Sequence, residues 1–300
     1  MKKATFFLWI ILCCHSQIQC SEPDSLFNCL LLRADSTFHK GNFVESMKLY
    51  QACHHINPIK KEVLCGLART YAAIGQNDSA FLYLEKASEM DSAIYHVIDG
   101  LFVELLKLEQ WAAFTDKQLA KYEIKFGKIP RREITLKLID INIKDQAYYE
   151  LIYLFPDSSR LKELKYKMIS EALEDVDLLV QKYGWPKQSD VGWEFAQTLF
   201  MPILHCGNLK TMKKYWKIIR QSVKRKDCVA EQYAYLTDRI RLMEHKKQLY
   251  ATQFNVDNQG NVSIAPLKCP HNLGKRREKI GLVPIDTNEY IQSYIRMVNP

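Results

Sequence analysis

Residues 27 to about 92 repeat themselves at a step of 34. Gly41 and Gly75 are separated by that step. So are Ala34 and Ala68, Ser46 and Ala80, Tyr50 and Leu84, Cys53 and Ala87, and Pro58 and Ser92. A constant offset that matches small residues to small ones means one supersecondary unit built twice. The glycine falls where a tight turn must join two helices. The small positions let those helices approach, and the large ones fill the gaps between them.

Period and pattern resemble the tetratricopeptide repeat, a helix–turn–helix unit. The stretches GNFVESMKLYQACHHINP and GQNDSAFLYLEKASEMDS carry the resemblance. Ser46 stands where that family usually has Ala, and Ser92 where it usually has Pro. A degraded third unit is expected from Leu101 to Leu108 and Trp111 to Tyr122, with Glu109 at the position of the turn glycine. Stacks of this kind bury a continuous core between neighbouring units. The resemblance implies a scaffold that holds a protein or peptide partner, without implying a chemistry.

The rest also reads as helix. Only 11 Gly and 10 Pro occur in 300 residues, which leaves little for long loops. Ile134 to Tyr149 suits one or two helices. Pro156-Asp157-Ser158-Ser159 starts a long amphipathic helix from Leu161 to Tyr183. Trp193 to Cys206 is apolar nearly all round, so it predicts a central buried helix kinked at Pro202. Gly207-Asn208 ends it and caps a helix from Leu209 to Lys226. Glu231 onward predicts one long helix running into a strand that ends at Phe254. Gln248 to Phe254 and Asn261 to Leu267 read as a hairpin turning at Asn258-Gln259-Gly260. Asp286 with Glu289 opens a last helix to about Met297. The expected fold class is therefore mainly all-α: a tetratricopeptide-like helical-hairpin stack, then a helical domain with one β-hairpin. The domain limits are residues 21–157 and 158–300, after a leader at 1–20.

The leader reads as a secretory signal peptide. Lys2 and Lys3 precede an unbroken apolar run from Phe6 to Leu12, and no acid occurs before Glu22. That predicts export to the periplasm or cell envelope, or secretion. Cys13, Cys14 and Cys20 near the expected cut leave a lipid anchor open, the one expected link to a membrane. No later segment has 18 consecutive apolar residues. Cys29, Cys53, Cys65, Cys206, Cys228 and Cys269 remain in the mature chain. They are either disulfide partners or small buried residues.

From about Leu161 onward the chain resembles a bacterial domain family of unknown function, common in exported proteins. The matching residues are Trp185-Pro186, His205, Asp238-Arg239, Gln248 with Tyr250-Ala251-Thr252-Gln253, Arg277 and Gly281-Leu282. Ala251 stands where that family usually has Gly. The residues themselves suggest a site. A buried His205 needs a hydrogen-bond partner, and Asp238 is the candidate. Such a couple orients an imidazole for general-base work, and otherwise only ties two helices together. His205, Asp238 and Arg239 are thus the candidate catalytic residues. Trp185, Gln248, Tyr250, Thr252, Gln253 and Arg277 are the candidate binding residues. On a strand, Gln248, Tyr250 and Thr252 would share one face, either a groove lining or an exposed hairpin face.

No metal or cofactor is expected. There is no HExxH, GxSxG, phosphate-cradling glycine loop or dinucleotide fingerprint. Net charge is +8 but uneven: 19 Lys and Arg stand against 10 Asp and Glu from Tyr183 onward, and 23 against 24 before it. Lys210, Lys213, Lys214, Lys217, Arg220 and Lys224 give the 210–226 helix one strongly positive face, a possible seat for an anionic ligand. Nucleic acid is not expected, given export. Two functions compete: an envelope scaffold that holds a protein on its repeats, and a hydrolase-like enzyme built on His205, Asp238, Arg239 and the 248–253 strand.

Overall fold

The computed structural model describes residues 23–90, 97–257 and 261–285. The expected leader, the hairpin turn at 258–260 and the last helix from 286 lie outside these residues. The chain is mainly helical, with one two-stranded antiparallel sheet. Its contacts divide it at Cys206/Gly207, not near 157. The reason is that the helices on either side of 157 pack on each other: α6 (Arg132–Gln146) lies against α8 (Ser159–Tyr183).

The unit up to Cys206 begins with α1 (Pro23–Phe38), α2 (Phe43–Ile56), α3 (Lys61–Ala73) and α4 (Asn77–Glu89). They pack in succession: α1 on α2, α2 on α3, α3 on α4. The 34-step positions are the reason. Ala34, Ala68, Ser46, Ala80, Tyr50, Leu84, Cys53 and Ala87 are all buried. Gly41 and Gly75 end α1 and α3 with nearly the same left-handed backbone, φ +76° and +77°. Ser46 stays within this apolar layer by donating its hydroxyl to the Ala34 carbonyl at 2.9 Å. Gly66 of α3 meets α2 at closest range; a Cβ there would sit 2.3 Å from the Tyr50 ring.

The third unit departs from the expected helix pair. Gly100–Lys107 is a 3-10 helix begun by Asp99, whose carboxylate accepts the Leu101 amide. It is followed by α5 (Trp111–Phe126). The region 134–154 holds two helices, α6 and the short α7 (Tyr149–Leu154), broken at Tyr148 with φ +62°. α8 starts on Ser158, whose hydroxyl accepts the Leu161 amide at 3.3 Å, and ends at Gly184. Next comes α9 (Gln188–Val191). The predicted kinked rod from Trp193 to Cys206 is instead two short helices, α10 (Trp193–Ala196) and α11 (Met201–His205), separated by a turn. Pro202 does not kink a helix there but begins one, where its missing N–H is harmless. Phe195, Leu199, Phe200 and Ile203 are buried as expected, whereas Trp193 is 51% exposed.

The unit after Cys206 contains α12 (Leu209–Lys224), capped by the Asn208 side chain on the Thr211 amide, and α13 (Ala230–Met243). β1 (Phe254–Val256) pairs with β2 (Val262–Ile264) in the register Phe254 to Ile264. These strands are far shorter than predicted. A 3-10 turn at Pro270–Asn272 and α14 (Leu273–Glu278) follow. No helix among the described residues is long and apolar enough to cross a membrane.

Candidate functional site

α13 buries one of two adjacent charges and exposes the other, because neighbours on a helix diverge by about 100°. Arg239 is exposed, while Asp238 has no exposed surface. The Asp238 oxygens accept the amides of Leu249 (2.7 Å), Tyr250 (3.0 Å) and Thr252 (3.2 Å) and the Thr252 hydroxyl (3.0 Å). Gln248, equally buried, donates to the carbonyls of Gln253 (2.9 Å) and Ala265 (2.7 Å). Its side-chain oxygen accepts the amides of Thr252 and Gln253, both at 3.0 Å. Two arginines close the loop from outside. Arg277 donates to the carbonyls of Tyr250 (2.7 Å) and Val283 (2.8 Å), and Arg276 to that of Leu249 (2.8 Å).

Residues 248–253 are therefore a loop wound around two side chains, not a strand. The predicted alternation does not exist: Gln248, Tyr250 and Thr252 are all buried, so they form neither a groove lining nor an exposed face. Tyr250 packs on Ala234 and Leu282. Burial, with Tyr233 and Asp238 beside it, pushes its hydroxyl up to about 12. Gln253 is half-buried. Ala251 has φ +57°, a conformation glycine takes without strain. Burial also pushes the Asp238 carboxyl above the usual carboxylate range, against the pull of its Leu249, Thr252 and Tyr250 donors.

His205 takes a different carboxylate from the one expected. Its Nδ1 lies 2.9 and 3.0 Å from the two oxygens of Asp145, at the end of α6. Asp145 is fully buried, and Gln146 donates to its Oδ2 at 2.6 Å. The His205 side chain is 31% exposed. Nε2 has no protein partner among the described residues and is not among their fully buried polar atoms left without one. α11 packs on both α6 and α8. From α8, half-buried Lys165 sets its ammonium 3.8 Å from the centre of the Tyr149 ring. Burial lowers the Lys165 pKa, and the Asp145 charge opposes the drop. Trp185 of the same unit is buried.

Sequence reasoning passed over Asp145, Lys165 and Arg276. Asp145 had a signal: Ile134, Leu138 and Ile141 form an apolar stripe, and the next step of four lands on an acid. No group of three or more His, Cys, Asp or Glu among the described residues is placed to hold a metal ion. The six cysteines from Cys29 onward are free thiols. In the comparisons with known proteins, no curated protein and no solved structure matches. A family model, that of a family of unknown function (DUF6624), matches residues 141–298, a span that begins just before Asp145 and takes in His205 and the Asp238 loop. That is more than half of the chain, and the chain belongs to this family of unknown function.

Proposed function

We propose that the chain is a binding or scaffold protein of the bacterial envelope, whose tetratricopeptide-like repeats hold a protein or peptide partner. The observation that carries this reading is the packing of α1 to α4 as successive pairs, with the 34-step residues forming the layer between them. The same unit offers a groove of about 750 Å³ between the 100–107 segment, α6 and α8. Lys107, Lys137 and Lys144 line it together with Asp140, Glu171 and Asp175, a mixed-charge lining that suits a peptide. The signal-like first 20 residues support the envelope placement.

The competing enzyme reading lacks Asp238 as the partner that would orient His205, since main-chain donors occupy its carboxylate. A photo-crosslinking residue placed at exposed Val44, Ile59 or Leu82 of the stack tests the binding reading in the native host. One discrete adduct of defined mass is expected from at least one stack position, and none from Arg239. Absence of an adduct at every stack position would remove the proposal.

A further inference from the structure

Among the described residues two carboxylates are completely buried, Asp145 and Asp238, and they are used differently. Burying a carboxylate is expensive, by several kcal/mol before compensation. Asp238 offsets this with four donors from one loop, and every partner is main chain or hydroxyl. That is how a carboxylate serves as a structural knot. Asp145 instead turns both oxygens on the inner nitrogen of one imidazole, whose side chain is partly exposed. A mere tie between α6 and α11 needs no buried charge; a backbone carbonyl accepts from a histidine as well. A buried carboxylate behind a ring fixes its orientation, with the other nitrogen outward.

The neighbouring charges determine what that nitrogen meets. From α6, Lys144 is spent on Asp175 of α8 at 2.6 Å. Lys165 of α8 is half-buried, and no ion pair with it occurs among the described residues. Asp145 thus backs His205 directly, and α8, on which α11 packs, carries Lys165 with its ammonium over the Tyr149 ring.

We propose that His205 and Lys165, backed by Asp145, form a binding site for the oxyanion group of a small molecule, a phosphate or a carboxylate. Lys165 supplies a point charge, and protonated His205 supplies an Nε2–H donor directed by Asp145. The site lies within the matched family span.

The test uses the full chain labelled with ¹⁵N-histidine. It is titrated with sulfate, standing for the tetrahedral oxyanion of a phosphate, and separately with acetate. Neither probe changes charge between pH 5.5 and 8.5. Saturable movement of the His205 ring signals by sulfate alone assigns the site to phosphate. By acetate alone it assigns the site to carboxylate, and by both to either. Lys165→Met should weaken binding about tenfold or more, as loss of one charged hydrogen bond does. Binding by His205→Gln, followed calorimetrically, should be weaker by about tenfold or more. His205 and Lys165 are both partly exposed, so these variants should fold, and far-UV circular dichroism checks that they do. Ring signals unmoved by both anions would overturn the proposal, as would unchanged affinity in both folded variants.

Discussion

Asp238 carries more of its unit's order than its single charge suggests. Removing its carboxylate leaves the buried amides of Leu249, Tyr250 and Thr252 without acceptors. Asp238→Ala should therefore destabilise the protein by about 3–5 kcal/mol, read as a lowered midpoint in urea. Ala251→Gly should do the opposite. It relieves a left-handed alanine at φ +57° and should stabilise by up to about 1 kcal/mol, less whatever the buried methyl contributes. Cysteines give a pH test. Burial pushes the thiols of Cys53 and Cys228 up to about 11 and about 12. The unfolded chain would release those protons first, from about pH 8.5. The stability that these two groups confer is whole below that pH and is lost as pH climbs through their folded values. Denaturation midpoints should fall steadily above about pH 9, and less steeply in Cys53→Ala. At residue scale the sequence named most members of the Asp238 network but mistook their use. A run such as Gln-x-Tyr-x-Thr alternates like a strand, and nothing local reveals that a buried Asp and Gln take up its amides. Asp145 was legible as an acid on an apolar stripe, but its pairing with His205 spans 60 residues of sequence and depends on packing.

Among elements, the repeat was the most legible feature. A fixed step records which faces pack, so four helices, two turn glycines and their buried small residues followed from it. Gly66 supplies a test. Gly66→Ala would drive its Cβ into the Tyr50 ring at 2.3 Å, whereas Gly75→Ala meets nothing within 4 Å. The first should destabilise by about 1–3 kcal/mol through overpacking, relieved in part by Tyr50→Leu. The second should cost about 1 kcal/mol, the penalty of a left-handed backbone alone. Thermal melts of the three variants decide. Elements without a repeat were less legible. An apolar composition from Trp193 to Cys206 said "buried" correctly for most side chains, yet could not distinguish one rod from two short helices on a turn. The 3-10 form of Gly100–Lys107 depends on the Asp99 cap and on packing against α6, which a helical spacing does not encode.

For the molecule as a whole, charge is partitioned more sharply than the sequence count at Tyr183 implied. Residues 207–300 hold 18 Lys and Arg against 8 Asp and Glu. Several of those acids are already engaged. Asp238 is capped by amides, Asp227 pairs with Arg225, and Glu244 is held down to about 2 by Lys213 and Lys246. Lys210, Lys213, Lys214, Lys217, Arg220 and Lys224 all point outward from α12, which is roughly 24 Å long. The chain should bind a heparin column and elute at a salt concentration that drops clearly in a Lys210→Glu, Lys217→Glu, Lys224→Glu triple variant, with folding unchanged. Equal elution would reduce that face to a solvated surface.

The Asp238 loop has one further consequence. Its conspicuous residues act as a latch, fully closed on the protein's own main chain. Other chains built around the same latch would inherit its shape, yet each would remain free to meet a different molecule elsewhere. Kinship through those residues is then a statement about architecture, and any shared trade would have to be sought at groups the latch leaves untouched.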